Sequence, residues 1–236
     1  LSAILSALFM YLYLRKFGLG LTGCAAAGWT FACSGFYASR VAAGHLPLLE
    51  AYPALPLLVW LVESHIQQQR RGESTRPWIA AIALSSACVM LAGHPQLAVY
   101  AMIAAGLYVL WRGGIESVKP IWSGMFVGVG CSAFALVPMG LLIGRSTRVL
   151  ALAPAANDIA MPYGRLAAFF LPWRDGVPPL LDNNPGSVFR GYPNLAYFWD
   201  TVCYIGIVPW IAVLLLLVFF VRTKPATVQR KMAGFI

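Results

Sequence analysis

The chain has 236 residues, 60% of them hydrophobic and 11% charged, against roughly 45–50% and about 25% in soluble globular domains. Seventeen Lys and Arg against eight Asp and Glu give a formal charge of +9. A water-soluble fold of this size could not cover so much apolar surface, and the basic residues sit at the ends of apolar runs instead of in a patch, so the charge reads as a topology signal and nucleic acid is not expected as a partner.

Seven apolar runs follow one another in the chain, at residues 1–14, 21–39, 46–62, 78–93, 97–111, 121–144 and 203–221. Each meets or approaches the ~20 residues that a helical span needs. They are continuous and do not alternate, which selects helices over a β-barrel. The expected fold is all-α, a single polytopic transmembrane helix bundle of about seven spans over residues 1–236, with one long external loop at 145–200. The chain opens inside an apolar run and closes on Met232 to Ile236, which reads as the start of another helix, so both ends are expected to be cut. The first run lacks a basic flank before it and a small-residue cleavage site after it, which is no signal-peptide pattern.

Orientation follows from Lys and Arg. Arg15 and Lys16, then Arg70, Arg71 and Arg76, then Arg112 and Lys119, and finally Arg222, Lys224, Arg230 and Lys231 fall at alternate ends of the runs. These are eleven of the 17 basic residues, accompanied only by Glu63, Glu73 and Glu116, and the positive-inside bias makes their side cytoplasmic. The opposite side receives Arg40, Arg145, Arg148, Arg165, Arg174 and Arg190 with Glu50, Asp158, Asp175, Asp182 and Asp200. The five cysteines are far apart, without a C-x-x-C pair, and read as small packing residues.

Almost no ionisable group falls at expected mid-membrane depth, where transporters place charged sites. Polar groups gather instead at the outer ends. Arg40, His45 and Glu50 share a stretch with Pro47, Pro53 and Pro56, and three prolines in ten residues predict broken backbone before a helix starts near Pro56. At membrane depth such backbone must line protein or a wet cavity. At Gly93-His94-Pro95-Gln96 an imidazole and an amide interrupt two apolar runs. They fit either a site for a headgroup or sugar hydroxyl, or a tight turn in which His94 caps a carbonyl. Arg145 and Arg148, three apart, share a helical face and suit either phosphate recognition or snorkelling anchorage. Arg40, His45, His94, Gln96, Arg145 and Arg148 are expected to converge on one outer cavity. Two isolated histidines without cysteine or a spaced carboxylate fall short of a zinc ligand set, and no metal or cofactor is expected. In the long loop, residues 159–171 predict an interfacial helix and 172–186 a run of turns. Tyr192, Tyr197, Phe198, Trp199 and Tyr204 then suit an aromatic belt.

Several segments together resemble the YfhO-type bacterial membrane proteins: Tyr13-Leu14-Arg15-Lys16-Phe17-Gly18-Leu19, Phe31-Ala32-Cys33-Ser34-Gly35-Phe36, Gly44-His45 with Pro56-Leu57-Leu58, Leu91-Ala92-Gly93-His94-Pro95-Gln96 and Tyr204-Ile205-Gly206-Ile207-Val208-Pro209. The resemblance spans nearly the whole chain, and the Ala-Gly-His-Pro-Gln and Phe-x-x-Ser-Gly-Phe runs are its most specific parts. It implies a multi-pass protein of the bacterial cytoplasmic membrane and a glycosyltransferase of the GT-C superfamily. Such an enzyme takes a sugar from a polyprenyl-phosphate carrier and adds it to an extracytoplasmic glycan or lipid acceptor. In that superfamily the catalytic carboxylate usually lies in the first external loop, which would precede Leu1. Arg40, Arg145 and Arg148 are then placed to offset charge on the leaving phosphate. His45, Glu50, His94 and Gln96 would line the sugar or acceptor side. The absence of a Gly-rich phosphate loop agrees with a lipid-linked donor. A lipid or solute transporter and a non-catalytic assembly subunit are the alternatives.

Overall fold

The computed structural model describes residues 1–145, 163–171, 204 and 206–222. Among them every regular element is helical. In chain order these are α1 (Ser2–Arg15), α2 (Leu21–Ala32), α3 (Gly35–Ala42), α4 (Leu46–Ala51), α5 (Ala54–Arg70), α6 (Arg76–Leu91), α7 (Pro95–Arg112), α8 (Ile115–Cys131), α9 (Ala133–Gly144), a 3-10 helix at Tyr163–Phe169 and α10 (Ile207–Arg222).

The breaks have local causes. Pro47 stands in the first turn of α4 and Pro53 is the N-cap of α5, positions where a missing N–H costs nothing. The helix expected from Pro56 therefore begins two residues earlier, at Ala54. The run at 21–39 is divided at Cys33–Ser34, where the Ser34 hydroxyl accepts from the Tyr37 N–H at 3.3 Å and caps α3. At this division the Phe31 carbonyl is left with only a long bond from the Ser34 N–H, at 3.4 Å. Tyr52 satisfies it by donating to the Phe31 oxygen at 2.9 Å while accepting from Ser34 Oγ at 3.0 Å.

The centre of the bundle is α5, with α1, α6 and α7 packed around it. Its Leu58, Leu61, Val62 and Ile66 join Ile82 and Val89 of α6, Ala98, Ala101, Ala105 and Val109 of α7, and Ile121 and Met125 of α8 in one buried core. The most extensive packing is between α6 and α8. It depends on Gly128, where a Cβ would fall 2.3 Å from the Ala83 carbonyl oxygen and 2.6 Å from Ser86 Cβ. Gly124, one turn earlier, faces Ile79 on the same seam, and this small-xxx-small spacing lets two backbones approach closely.

The expectation of seven full spans is not matched helix by helix. Counted through the Tyr52–Pro53 turn, Leu46–Arg70 is 25 residues long with a mean hydropathy of 1.4, and among the described residues it is the one continuous helix long and apolar enough to cross a membrane. A second results only if α8 and α9, bent by 69°, are taken together. The shorter apolar helices α1 and α6 are followed within three residues by Gly18 and Gly93, both at positive φ, where the helical path ends. The division at Ser34 shortens the second run. The run expected to end at Val62 instead continues two turns to Arg70. The residues 145–200 loop is described only at Arg145 and 163–171. Its 3-10 helix falls inside the interval expected to be helical, with Ala168 buried.

Candidate functional site

Of the seven residues expected at the site, Arg40 and His45 are joined directly. Arg40, only 3% exposed, directs Nη1 at His45 Nδ1 at 3.2 Å. A guanidinium can only donate, so Nδ1 accepts and the ring proton resides on Nε2, which is available to donate in turn. The Arg40 guanidinium also lies 5.0 Å from the centre of the Phe36 ring, an arrangement in which the ring face favours the cation. Gly44, at φ 68°, makes the turn that folds His45 back onto α3.

The His94 segment packs on the same turn. Gly93 takes φ 85°, and a Cβ there would meet Pro47 Cβ at 3.3 Å, so the α6–α7 turn rests on the start of α4. The His94 side chain has a local role: Nδ1 accepts from the Leu97 N–H at 3.2 Å and caps α7. The cap expected on a carbonyl is thus on an amide, because the imidazole precedes its helix. Gln96 is exposed and donates to Tyr100 Oη at 2.8 Å. Glu50 is exposed on α4. The full six-residue convergence is not seen. Arg145 caps the end of α9, a helix without a buried residue, and its exposed side chain has no partner among the described residues. The cause is the bend at Ser132, which carries α9 away from the line of α8. Arg148 lies outside the described residues, as do the turns at 172–186 and Tyr192, Tyr197, Phe198 and Trp199.

Beside the Arg40–Phe36 pair opens a cavity of about 700 Å³, lined by Met10, Ala27, Thr30, Phe31, Ser34, Phe36, Tyr52, Phe169, Tyr204, Pro209 and Ala212. Its lining is apolar apart from a few hydroxyls, and the long loop and α10 complete it. The Gly35 N–H donates to the Tyr204 carbonyl at 2.7 Å, and Trp210 Nε1 donates to the Phe169 carbonyl at 3.0 Å, which fixes that wall. A smaller cavity of about 280 Å³ lies behind it, lined by Phe31, Ala51, Tyr52, Leu55, Leu97, Tyr100, Ala101 and Ala104. Phe31 and Tyr52 line both, stacked with ring centres 4.8 Å apart.

Sequence reasoning missed a second polar cluster. Glu63, assigned to the basic end, has no exposed surface. Its Oε2 accepts from Tyr108 Oη at 2.6 Å. Its Oε1 accepts from Gln67 Nε2 at 2.9 Å and lies 3.5 Å from Arg112 Nη2. His65, two residues on, is equally buried. Both are ionisable groups buried inside the bundle, and Glu63 lies beside Arg112 at its basic end, where it was expected. The available signal was the spacing: Glu63 and Gln67 on α5, and Tyr108 and Arg112 on α7, are each four apart and so share a helical face.

Three of the four basic ends gather; the side chains of the fourth, from Arg222 on, lie outside the described residues. Arg70 Nη2 donates to the Arg112 carbonyl at 2.7 Å, Gln67 Nε2 donates to the Lys16 carbonyl at 2.9 Å, and Ser117 Oγ donates to Gln69 Oε1 at 2.7 Å. The C-terminal ends of α1, α5 and α7 and the start of α8 thus meet at one end of the bundle. The Arg40–His45 pair belongs to the turn between α3 and α4, ahead of α5. Compared with protein-family models, curated proteins and solved structures, the chain has no match, and its function has to be argued from these side chains.

Proposed function

We propose that the chain is an integral membrane protein of the GT-C glycosyltransferase kind, which moves a sugar from a polyprenyl-phosphate carrier to a glycan or lipid acceptor outside the bacterial cytoplasmic membrane. The observation that carries this reading is the 700 Å³ apolar cavity one of whose lining rings, Phe36, has the Arg40 guanidinium 5.0 Å from its centre. A polyprenyl phosphate divides in the same way, into a long apolar chain and an anionic head. In the transfer, the acceptor oxygen bonds to the anomeric carbon as the bond from that carbon to the carrier phosphate breaks. The phosphate leaves with the electron pair, and the acceptor proton passes to a base. Arg40 offsets the charge that develops on the leaving phosphate, and His45 Nε2–H is a second donor beside it.

Placement in a bilayer is supported by the surface and by the breaks. α9 buries none of its residues, and Leu141, Leu142, Leu214, Leu215 and Leu217 are all more than half exposed, which water would penalise and acyl chains would not. On this reading α2–α3 and α8–α9 are broken spans. Backbone opened at membrane depth needs internal partners. Tyr52 supplies one at Phe31, and Ser132 Oγ donates towards the Ala87 and Gly128 carbonyls at 3.2 and 3.1 Å.

The test is cross-linking of a photoreactive polyprenyl phosphate to the full-length protein in membranes. Label is expected on cavity residues, competed by unlabelled polyprenyl phosphate and reduced by Ala212→Trp, which fills the cavity from an exposed position. Labelling indifferent to both would sink the proposal. The buried Glu63 cluster favours a transporter as the second reading. Against it, both Glu63 oxygens already have donors, whereas a transport site presents open ligands. Ion-coupled uptake into proteoliposomes that is abolished by Glu63→Gln would reverse this preference.

A further inference from the structure

The gathered ends of α1, α5 and α7 enclose a separate cavity of about 270 Å³, lined by Lys16, Phe17, Gln67, Arg70, Arg71 and Arg112. Four of its six lining residues are cations and none is an acid. Glu63 stands behind this wall, without exposed surface, in contact with Gln67 and Arg112. The glycosyl-transfer proposal gives these residues no role.

The cavity is built, which separates it from an ordinary basic surface. Arg112 is held 3.5 Å from Glu63 and 5.2 Å above the Phe17 ring. Arg70 is tied to the Arg112 carbonyl, and Gln67 to the Lys16 carbonyl. Three walls are therefore fixed before any ligand arrives, and such preorganisation lowers the entropy lost on binding. Guanidinium forks match the oxygens of a phosphate. Burial, and after it the nearby Arg71, holds the Lys16 ammonium below the usual lysine range despite the pull of Glu63, so the cavity's charges oppose one another until an anion joins them.

We propose that this pocket binds a phosphate group, presented by an anionic lipid headgroup or as the free anion. Position and shape favour the lipid. The pocket lies at the end of the bundle where the basic clusters collect, and inner-leaflet anionic lipids concentrate at such a surface. Its volume admits a headgroup and excludes acyl chains.

The experiment uses the full chain in phosphate-free neutral detergent and in nanodiscs. One arm measures binding of inorganic phosphate at matched ionic strength. The other uses native mass spectrometry to compare retained phosphatidylglycerol with phosphatidylcholine. The variant is Arg71→Gln, because the Arg71 side chain has no hydrogen-bond partner among the described residues and its loss leaves Glu63 paired; helical content by circular dichroism verifies folding. Arg71→Gln is expected to weaken binding roughly tenfold, the scale of one charge-assisted hydrogen bond, and Arg71→Lys to restore part of it. Arg76→Gln, a cation outside the lining, is expected to change nothing. Preference for phosphatidylglycerol lost in Arg71→Gln supports the pocket and assigns the lipid. Phosphate binding lost in that variant without a lipid preference supports it and assigns the free anion. Absence of both, or equal losses in Arg71→Gln and Arg76→Gln, would overturn it.

Discussion

Removing one oxygen atom from the bundle interior tests how much the hydrogen bond at Glu63 stabilises the fold. Tyr108→Phe deletes the hydroxyl that donates to Glu63 Oε2 at 2.6 Å and leaves the ring in place against Tyr13 and Trp111. Gln67 and Arg112 both approach the other oxygen, so Oε2 is left with no donor, and at 0% exposure no bulk water replaces it. Hydrogen bonds to charged groups contribute about 1.5–3 kcal/mol, and a stranded buried acceptor costs a similar amount. Neutral side-chain pairs inside membrane bundles average only ~0.6 kcal/mol. The two figures separate a charge-assisted hydrogen bond from an ordinary one. The expected loss is about 2 kcal/mol, read by reversible SDS titration in mixed micelles, or a fall in Tm of about 5 °C for a chain of this size. Ser64→Ala, whose hydroxyl only bonds the Trp60 carbonyl of its own helix, serves as the control and should cost less than about 0.5 kcal/mol. Combining Tyr108→Phe with Glu63→Gln should show a coupling of about 1 kcal/mol. A single-variant loss below that of the control, or strict additivity of the pair, would refute the argument.

The α6–α8 seam should tolerate no side chain at Gly128: Gly128→Leu is expected to cost more than about 3 kcal/mol, whereas Gly130→Leu, with nothing within 4 Å of its Cβ position, should stay within about 0.5 kcal/mol; equal effects in denaturation would remove the close approach as the cause. His94→Ala should cost about 1 kcal/mol through loss of the α7 cap, and His94→Asn, which caps as well, should restore it; a transfer defect shared by both variants in refolded, fully helical protein would show that the imidazole does more than cap. A single cysteine at Gln69 in a Cys-depleted full-length protein should react only with reagent on the cytoplasmic side, and labelling from outside would reverse the topology.

The alternation of basic ends was legible because Lys and Arg collect at helix termini. The contacts among Lys16, Gln67, Arg70 and Arg112 then express in space what the order of residues implied. The Arg40–His45 pair was legible as a neighbourhood, since five residues around a glycine turn must return close to their start. Helix lengths were harder to read. The Ser34 cap looks like any serine until Tyr52, 18 residues away, is seen to complete it. Glu63 reads as the polar end of a span because sequence does not reveal that α7 supplies Tyr108 and Arg112 to pair with it. The fate of Arg145 depended on the angle at Ser132, which no local composition encodes.

Phe31 and Tyr52 also form a partition. They separate the 700 Å³ compartment from the 280 Å³ one behind it, and the wall there is a single layer of stacked rings. Its anchorage is two hydrogen bonds at one phenol, which donates to the Phe31 carbonyl and accepts from Ser34 Oγ. Truncation to Tyr52→Ala would merge the two spaces and reach Leu97 and Tyr100 on α7 from the α2 side. The depth of the larger compartment is therefore set by one aromatic side chain, Tyr52, at the break before α5.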